Sequence, residues 1–125
     1  GGYELRNAFL KLSSSPKGIT TIKNGSGILC VFEGFFDLLT YVSLHEQSFL
    51  QCDYLVLNSL AFFEKYFAFM EQYSVVRLFL DRDRTGQNCS HMAMKRSPVY
   101  TDESGLYHGF EDMNDWLIHR QADSS

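Results

Sequence analysis

Three apolar runs constrain this chain more than any other feature. They are ILCVF at 28–32, YLVL at 54–57 and VVRLFL at 75–80. Runs of this kind, apolar without strict alternation, read as strands buried on both faces, the pattern of a parallel sheet. The segments between them have helical spacing. Phe35, Leu38, Leu39 and Val42 share one face of a helix that follows the first run. In 60–73, Phe63, Tyr66, Phe67 and Met70 lie on one face and Glu64, Lys65, Glu71 and Gln72 on the other, with Ser59 placed as the N-cap. A third helix is expected over GQNCSHMAMKR, stopped by Ser97-Pro98. A short fourth strand at Val99-Tyr100 and a last helix from Asp112 to Arg120 complete the pattern. Strand and helix thus alternate throughout, which implies an α/β domain: a parallel sheet of about four strands with helices on both faces.

At 125 residues the chain is one domain with room for a real core. Residues 1–26 read as an N-terminal extension of short extended pieces (YELR, FLKL, ITTI), broken by Ser13-Ser14-Ser15-Pro16 and Gly18. Residues 27–125 form the domain proper. Net charge is −4, which is not the balance of a protein that coats nucleic acid by itself. The charge is uneven. Arg6, Lys11, Lys17 and Lys23 stand against Glu4 in residues 1–27, while the remainder carries seven basic and fourteen acidic residues. The acidic part is where a divalent cation would go. The basic arm reads either as a neighbour of phosphates or as a solvated edge. Three widely spaced cysteines, Cys30, Cys52 and Cys89, exclude a disulfide framework and a zinc site built by this segment, and Cys30 and Cys52 read as buried thiols. No apolar run has the length of a membrane span and no signal peptide is visible, so a reducing cytoplasm is the expected setting.

In parallel α/β sheets, ligands bind beyond the carboxyl ends of the strands. Glu33 ends the first run, Asn58 and Ser59 end the second, and Asp81 and Asp83 in FLDRDRTG end the third. Asp81 and Asp83, two apart in an extended segment, point the same way and can share one cation. Asp37 follows Glu33 by one helical turn, and Asp112 and Asp115 open the last helix. Each also has a reading without metal: Asp37 suits the helix dipole and Asp112 with Asp115 an N-cap pair. What favours a site is convergence, since three acidic clusters fall at strand-to-helix corners along one sheet edge. Carboxylates gathered this way repel one another unless a cation or protons intervene. Oxygen ligands without Cys or His suit Mg²⁺ or Mn²⁺, and Mg²⁺ usually completes its shell from substrate phosphates, which points to phosphate-ester chemistry. Gly34 and Gly86 follow the acidic residues at positions where the lack of a Cβ permits close backbone approach. The four histidines show no ligand spacing and read as surface residues, and Trp116 is expected to pack onto the sheet.

At these residues the sequence resembles the toprim domain shared by bacterial primases, topoisomerases of types IA and II and some nucleases. The hallmarks are a glutamate ending the first strand, here Glu33, and a DxD ending the third, here Asp81-Arg82-Asp83. EGFFD, DRDRTG and EDMND, over roughly 27–120, are similar to the primase branch, whereas the two phenylalanines after Gly34 speak against the topoisomerases. Asn114 stands where that branch has a second aspartate, and Asn58-Ser59-Leu60 replaces a glycine-threonine pair. GGYELRN and SSSPKGIT look like primase-like proteins carried on mobile elements. The resemblance implies a Rossmann-like toprim fold. It implies Glu33 as general acid or base in nucleotidyl transfer, and Asp81 and Asp83 as ligands of Mg²⁺ or Mn²⁺ with Asp37 and Asp112 nearby. Arg82, Arg84, Asn58 and Ser59 are the candidate substrate contacts. Single-stranded DNA and nucleotides are the expected partners, with a replicative helicase, and a zinc-ribbon domain is expected upstream. Primer synthesis on a DNA template is the first reading. A nuclease using the same carboxylates, or a non-catalytic, metal-dependent nucleic-acid adaptor in a replication or mobilisation complex, are the alternatives.

Overall fold

The three apolar runs become the centre of one six-stranded sheet. The structure, a computed structural model, describes residues 12–14 and 18–123. Its strands are β1 (Leu12–Ser14), β2 (Thr20–Ile22), β3 (Ile28–Phe32), β4 (Asp53–Val56), β5 (Val75–Phe79) and β6 (Tyr100–Asp102), arranged β1-β2-β4-β3-β5-β6. β4, β3, β5 and β6 are mutually parallel, as expected. β2 adds to the free edge of β4 in antiparallel sense and β1 pairs with β2, so two of the short N-terminal pieces extend the sheet. Arg6, Lys11 and Lys17 of the basic arm lie outside the described residues, as do YELR and most of FLKL.

The helices are α1 (Phe35–Leu44), α2 (Phe67–Met70), α3 (Arg84–Arg96) and α4 (Met113–Asp123). Alternate strand residues face opposite layers. Cys30, Phe32, Tyr54, Val56 and Phe79 pack with Leu38, Tyr41 and Val42 of α1 and Met113 of α4, and Trp116 packs against the same cluster. Leu29, Val31, Leu55, Val76 and Leu78 pack on the other side with Phe63, Phe67, Met70 and, from α3, Cys89 and Ala93. This two-sided burial is why the strands read as unbroken apolar runs. All three cysteines are free and buried, and all four histidines are exposed.

The segment 60–73 departs from the expected single helix. It folds as a 3₁₀ turn, Phe63–Tyr66, running into the four-residue α2. The expected face is kept, since Phe63, Phe67 and Met70 are buried while Glu64 and Lys65 are exposed. Ser59 caps no helix; its hydroxyl accepts the N–H of Ala61 in a local turn. Five aromatic residues between 62 and 69 lose rotamer freedom against a preceding helical turn, and the burial of Phe63 and Phe67 on the sheet outweighs regular helix formation.

At the amino end of the sheet, Asp53 shows what a structural carboxylate looks like in this fold. It is only 4% exposed. It accepts N–H groups from Asn24 at 2.7 Å and Ser26 at 3.0 Å, and the hydroxyl of Tyr73 at 2.6 Å. The turn before β3 is thereby tied to β4.

Candidate metal centre

The opposite edge carries a different set of carboxylates. β3 and β5 are neighbours in register, with Phe32 beside Phe79, so the residues just beyond them emerge together. Glu33, Asp81 and Asp83 each offer an oxygen, and these atoms lie within 4.8 Å of one another. The Asp81 N–H donates to Oε1 of Glu33 at 3.2 Å, which fixes the side chain across the strand ends. Asp83 sits at the N-cap of α3, where its Oδ1 accepts the N–H of Gly86 at 2.8 Å.

Gly86 explains the spacing of DRDRTG. A Cβ there would lie 2.1 Å from the carbonyl oxygen of Asp81, so the first turn of α3 closes over the Asp81 backbone only with glycine. Gly34 is under no such demand: its backbone is extended and a Cβ would meet only an ordinary contact with Asp37.

The loop bearing Asp81 is clamped by the C-terminal segment. The Tyr107 hydroxyl donates to the Leu80 carbonyl at 2.6 Å, and the Arg82 N–H donates to the Glu111 carbonyl at 2.6 Å. The Arg82 guanidinium turns to Ser104, donating to its carbonyl at 2.9 Å and its hydroxyl at 3.2 Å. Ser104 and Tyr107 escape a reading of the sequence, because nothing in a separation of more than twenty residues marks them as partners of the loop. Arg84 opens α3 and is exposed.

Asp37 and Asp112 lie in the same depression of about 330 Å³, with Glu33, Gly34, Phe35, Phe36, Asn58, Asp81 and Asn114, but outside the close group of three. Asp37 is 6% exposed, and its Oδ1 accepts the N–H of Asn114 at 3.1 Å. Asn114 in turn accepts the Thr40 hydroxyl at 3.3 Å, so it braces α4 against α1. Asp112 accepts the N–H of Asp115 at 2.7 Å and starts α4. Asp115 turns to His119, with 3.4 Å between the groups, and does not line the depression. Asn58 holds a left-handed backbone, φ 63°, that asparagine tolerates better than most residues. Its N–H donates to the Glu33 carbonyl at 2.9 Å and its side-chain amide donates to the Gly18 carbonyl. Ser59 is exposed beside it.

Burial with like charge nearby raises the proton affinity of Asp81, Asp37 and Glu33. Asp81 is pushed up to about 8, by burial first and then by Glu33, Asp37 and Asp112. Asp37 is pushed up to about 6, mainly by burial. Glu33 is also raised by burial, against the opposing effect of the Asp81 N–H. The ion pairs among the described residues, Arg96 with Glu71 and His119 with Asp115, do not touch the cluster. Three crowded carboxylates without a basic partner among the described residues, all hard oxygen donors, fit a divalent cation.

The model of the Toprim-like family matches residues 30–117. Among solved structures, the primase fragment of the bacteriophage T7 primase-helicase protein is similar at a TM-score of 0.63 and 15% identity, over 89% of this chain and 48% of that one. A structure of bacteriophage T7 lagging-strand DNA polymerase, interacting with primase domains of two gp4 subunits bound to an RNA/DNA hybrid and dTTP, is similar at a TM-score of 0.63 and 17% identity. That match covers 89% of this chain and 58% of the other. This chain thus spans about half the length of the structures it resembles. No curated protein sequence matches it. No helix among the described residues is long and apolar enough to cross a membrane.

Proposed function

The chain belongs to the Toprim-like family, and on that premise we propose that it is the metal-dependent catalytic module of a DNA primase-like protein, joining nucleotides on a single-stranded DNA template. The observation that carries this reading is the convergence of Glu33, Asp81 and Asp83 within 4.8 Å at the carboxyl edge of β3 and β5. Asp81 and Asp83 would hold Mg²⁺ or Mn²⁺, with Asp37 and Asp112 adding negative charge around them. A cation bound there supplies charge stabilisation to phosphoryl transfer. Glu33 exchanges the proton. Its carboxylate is half-buried, burial raises its proton affinity, and it is fixed by the Asp81 N–H, features that suit a general acid–base group. Asn58, which lines the depression, and the exposed Arg84 and Ser59 are the candidate contacts to phosphate or sugar. Arg82 acts differently, by holding the metal-binding loop to Ser104.

The test is incorporation of labelled nucleotides on single-stranded DNA, with Mn²⁺ and Mg²⁺ compared and Glu33→Gln as control. Template-dependent products lost in the variant support the proposal. Strand cleavage without synthesis assigns a nuclease. Metal-dependent binding without either reaction assigns an adaptor.

A further inference from the structure

The two phenylalanines of EGFFD part company in the fold. Phe35 packs against the core, whereas Phe36 is 70% exposed, more than any other large apolar residue among those described. A single exposed apolar residue is ordinary. Phe36 differs in its surroundings: it lines the acidic depression with Glu33, Asp37, Asn58 and Asp81. It stands in the first turn of α1, three residues after Glu33. A ligand drawn to this depression through a cation presents phosphate to the carboxylates. In a nucleotide, the base lies one sugar away from that phosphate. Two apolar side chains line this depression; Phe35 packs against the core, so the exposed ring of Phe36 is the apolar surface open to a ligand there. Bases of every kind stack on aromatic rings, so such a contact tolerates any sequence.

We propose that Phe36 is a nucleobase-stacking platform beside the metal centre, holding the base whose phosphate the carboxylate site engages. The inference rests on the proposed function and adds the recognition of the base. The base comes either from a DNA strand or from a free nucleotide, and the test separates these sources.

Binding is measured in Mn²⁺ for wild type, Phe36→Leu and Phe36→Trp. The ligands are an oligothymidylate, an abasic strand with the same number of phosphates, thymidine triphosphate and inorganic tripolyphosphate. Phe36→Leu keeps apolar bulk but removes the ring face, and at an exposed position it leaves the fold intact. The expected result is a loss of about 5- to 150-fold for whichever base-bearing ligand stacks, the scale of one base–aromatic contact. Affinity for its base-free counterpart stays unchanged and Phe36→Trp retains binding. Loss confined to the oligonucleotide assigns the base to the strand, and loss confined to the triphosphate assigns it to the free nucleotide. Wild-type binding that Phe36→Leu leaves intact, or lowers equally with and without bases, overturns the stacking role alone. Failure of wild type to bind any of the four ligands overturns the proposed function and this inference together.

Discussion

The backbone N–H of Asp81 donates to the carboxylate of Glu33 at 3.2 Å, across the ends of two neighbouring parallel strands. One residue from each strand end is thus fixed relative to the other before any ligand arrives. This preorganisation underlies a difference between two substitutions. Glu33→Gln keeps an acceptor for the Asp81 N–H but cannot exchange a proton. It should lower nucleotide transfer by roughly two to four orders of magnitude. Mn²⁺ should still bind through Asp81 and Asp83. Single-turnover rates at saturating Mn²⁺ check this, and a near-wild-type rate would remove Glu33 from proton transfer.

The raised proton affinity of Asp81 gives the metal-free protein a pH dependence. Its carboxyl is pushed from an ordinary 3.8 up to about 8 in the fold. The folded state therefore binds a proton more tightly than the unfolded chain does. The resulting stability is fully present below about pH 4 and is lost as pH rises through 8. Wild type in chelator should melt several degrees lower at pH 8.5 than at pH 5. Asp81→Asn should flatten that slope and melt higher than wild type at pH 8.5. Parallel melting curves for the two proteins would contradict the crowding of charge at this site.

Asp37 joins α1 to the start of α4 through the N–H of Asn114 at 3.1 Å. Its proton affinity is raised for the same reason, to about 6. Asp37→Ala removes the acceptor and should cost about 1–3 kcal/mol, the penalty of leaving a buried donor unpaired. Asp37→Asn keeps an acceptor and removes the buried charge, so at pH 8 it should be neutral or stabilising. Urea midpoints of both variants at pH 8 distinguish this brace from a residue that serves the metal alone, for which the two substitutions would be equally mild.

Gly86→Ala places a methyl 2.1 Å from the Asp81 carbonyl oxygen, a clash with backbone that cannot rotate away. A loss of about 1–3 kcal/mol or more is expected from such overpacking. Weakened Mn²⁺ binding should accompany it, because Asp81 must move. Gly34→Ala, meeting only a 3.5 Å contact, should do neither. Denaturant titration and calorimetry on the pair check the contrast.

How much of this was legible in the sequence follows from where each interaction lies along the chain. β3, β4 and β5 could be read because burial on both faces leaves apolar runs. Glu33, Asp81 and Asp83 could be placed because each ends such a run and the strands are parallel. The sequence did not reveal that Thr20–Ile22 pairs antiparallel with β4, since short polar strands carry little periodicity. Nor did it reveal the break in 60–73, where helical spacing is kept although the backbone divides into a 3₁₀ turn and a single α-helical turn. The brace from Asp37 to Asn114 spans 77 residues, and the turn of Arg82 toward Ser104 spans 22. Such contacts depend on side-chain direction in three dimensions, which spacing does not encode. The brace made by Asp37 was hidden for that reason, whereas the bond between Asp112 and Asp115 at the start of α4 is local and could be read as an N-cap pair.

The central claim is that Asp81 and Asp83, with Glu33 beside them, form a divalent-cation site. Calorimetric titration of the protein with Mn²⁺ tests it most directly, using wild type and the double variant Asp81→Asn, Asp83→Asn, at pH 6 and pH 8.5. Wild type should bind one Mn²⁺ or more, with affinity rising between the two pH values as Asp81 gives up its proton, and the double variant should show no binding at either. Equal Mn²⁺ binding by the double variant would place the metal elsewhere and contradict the account.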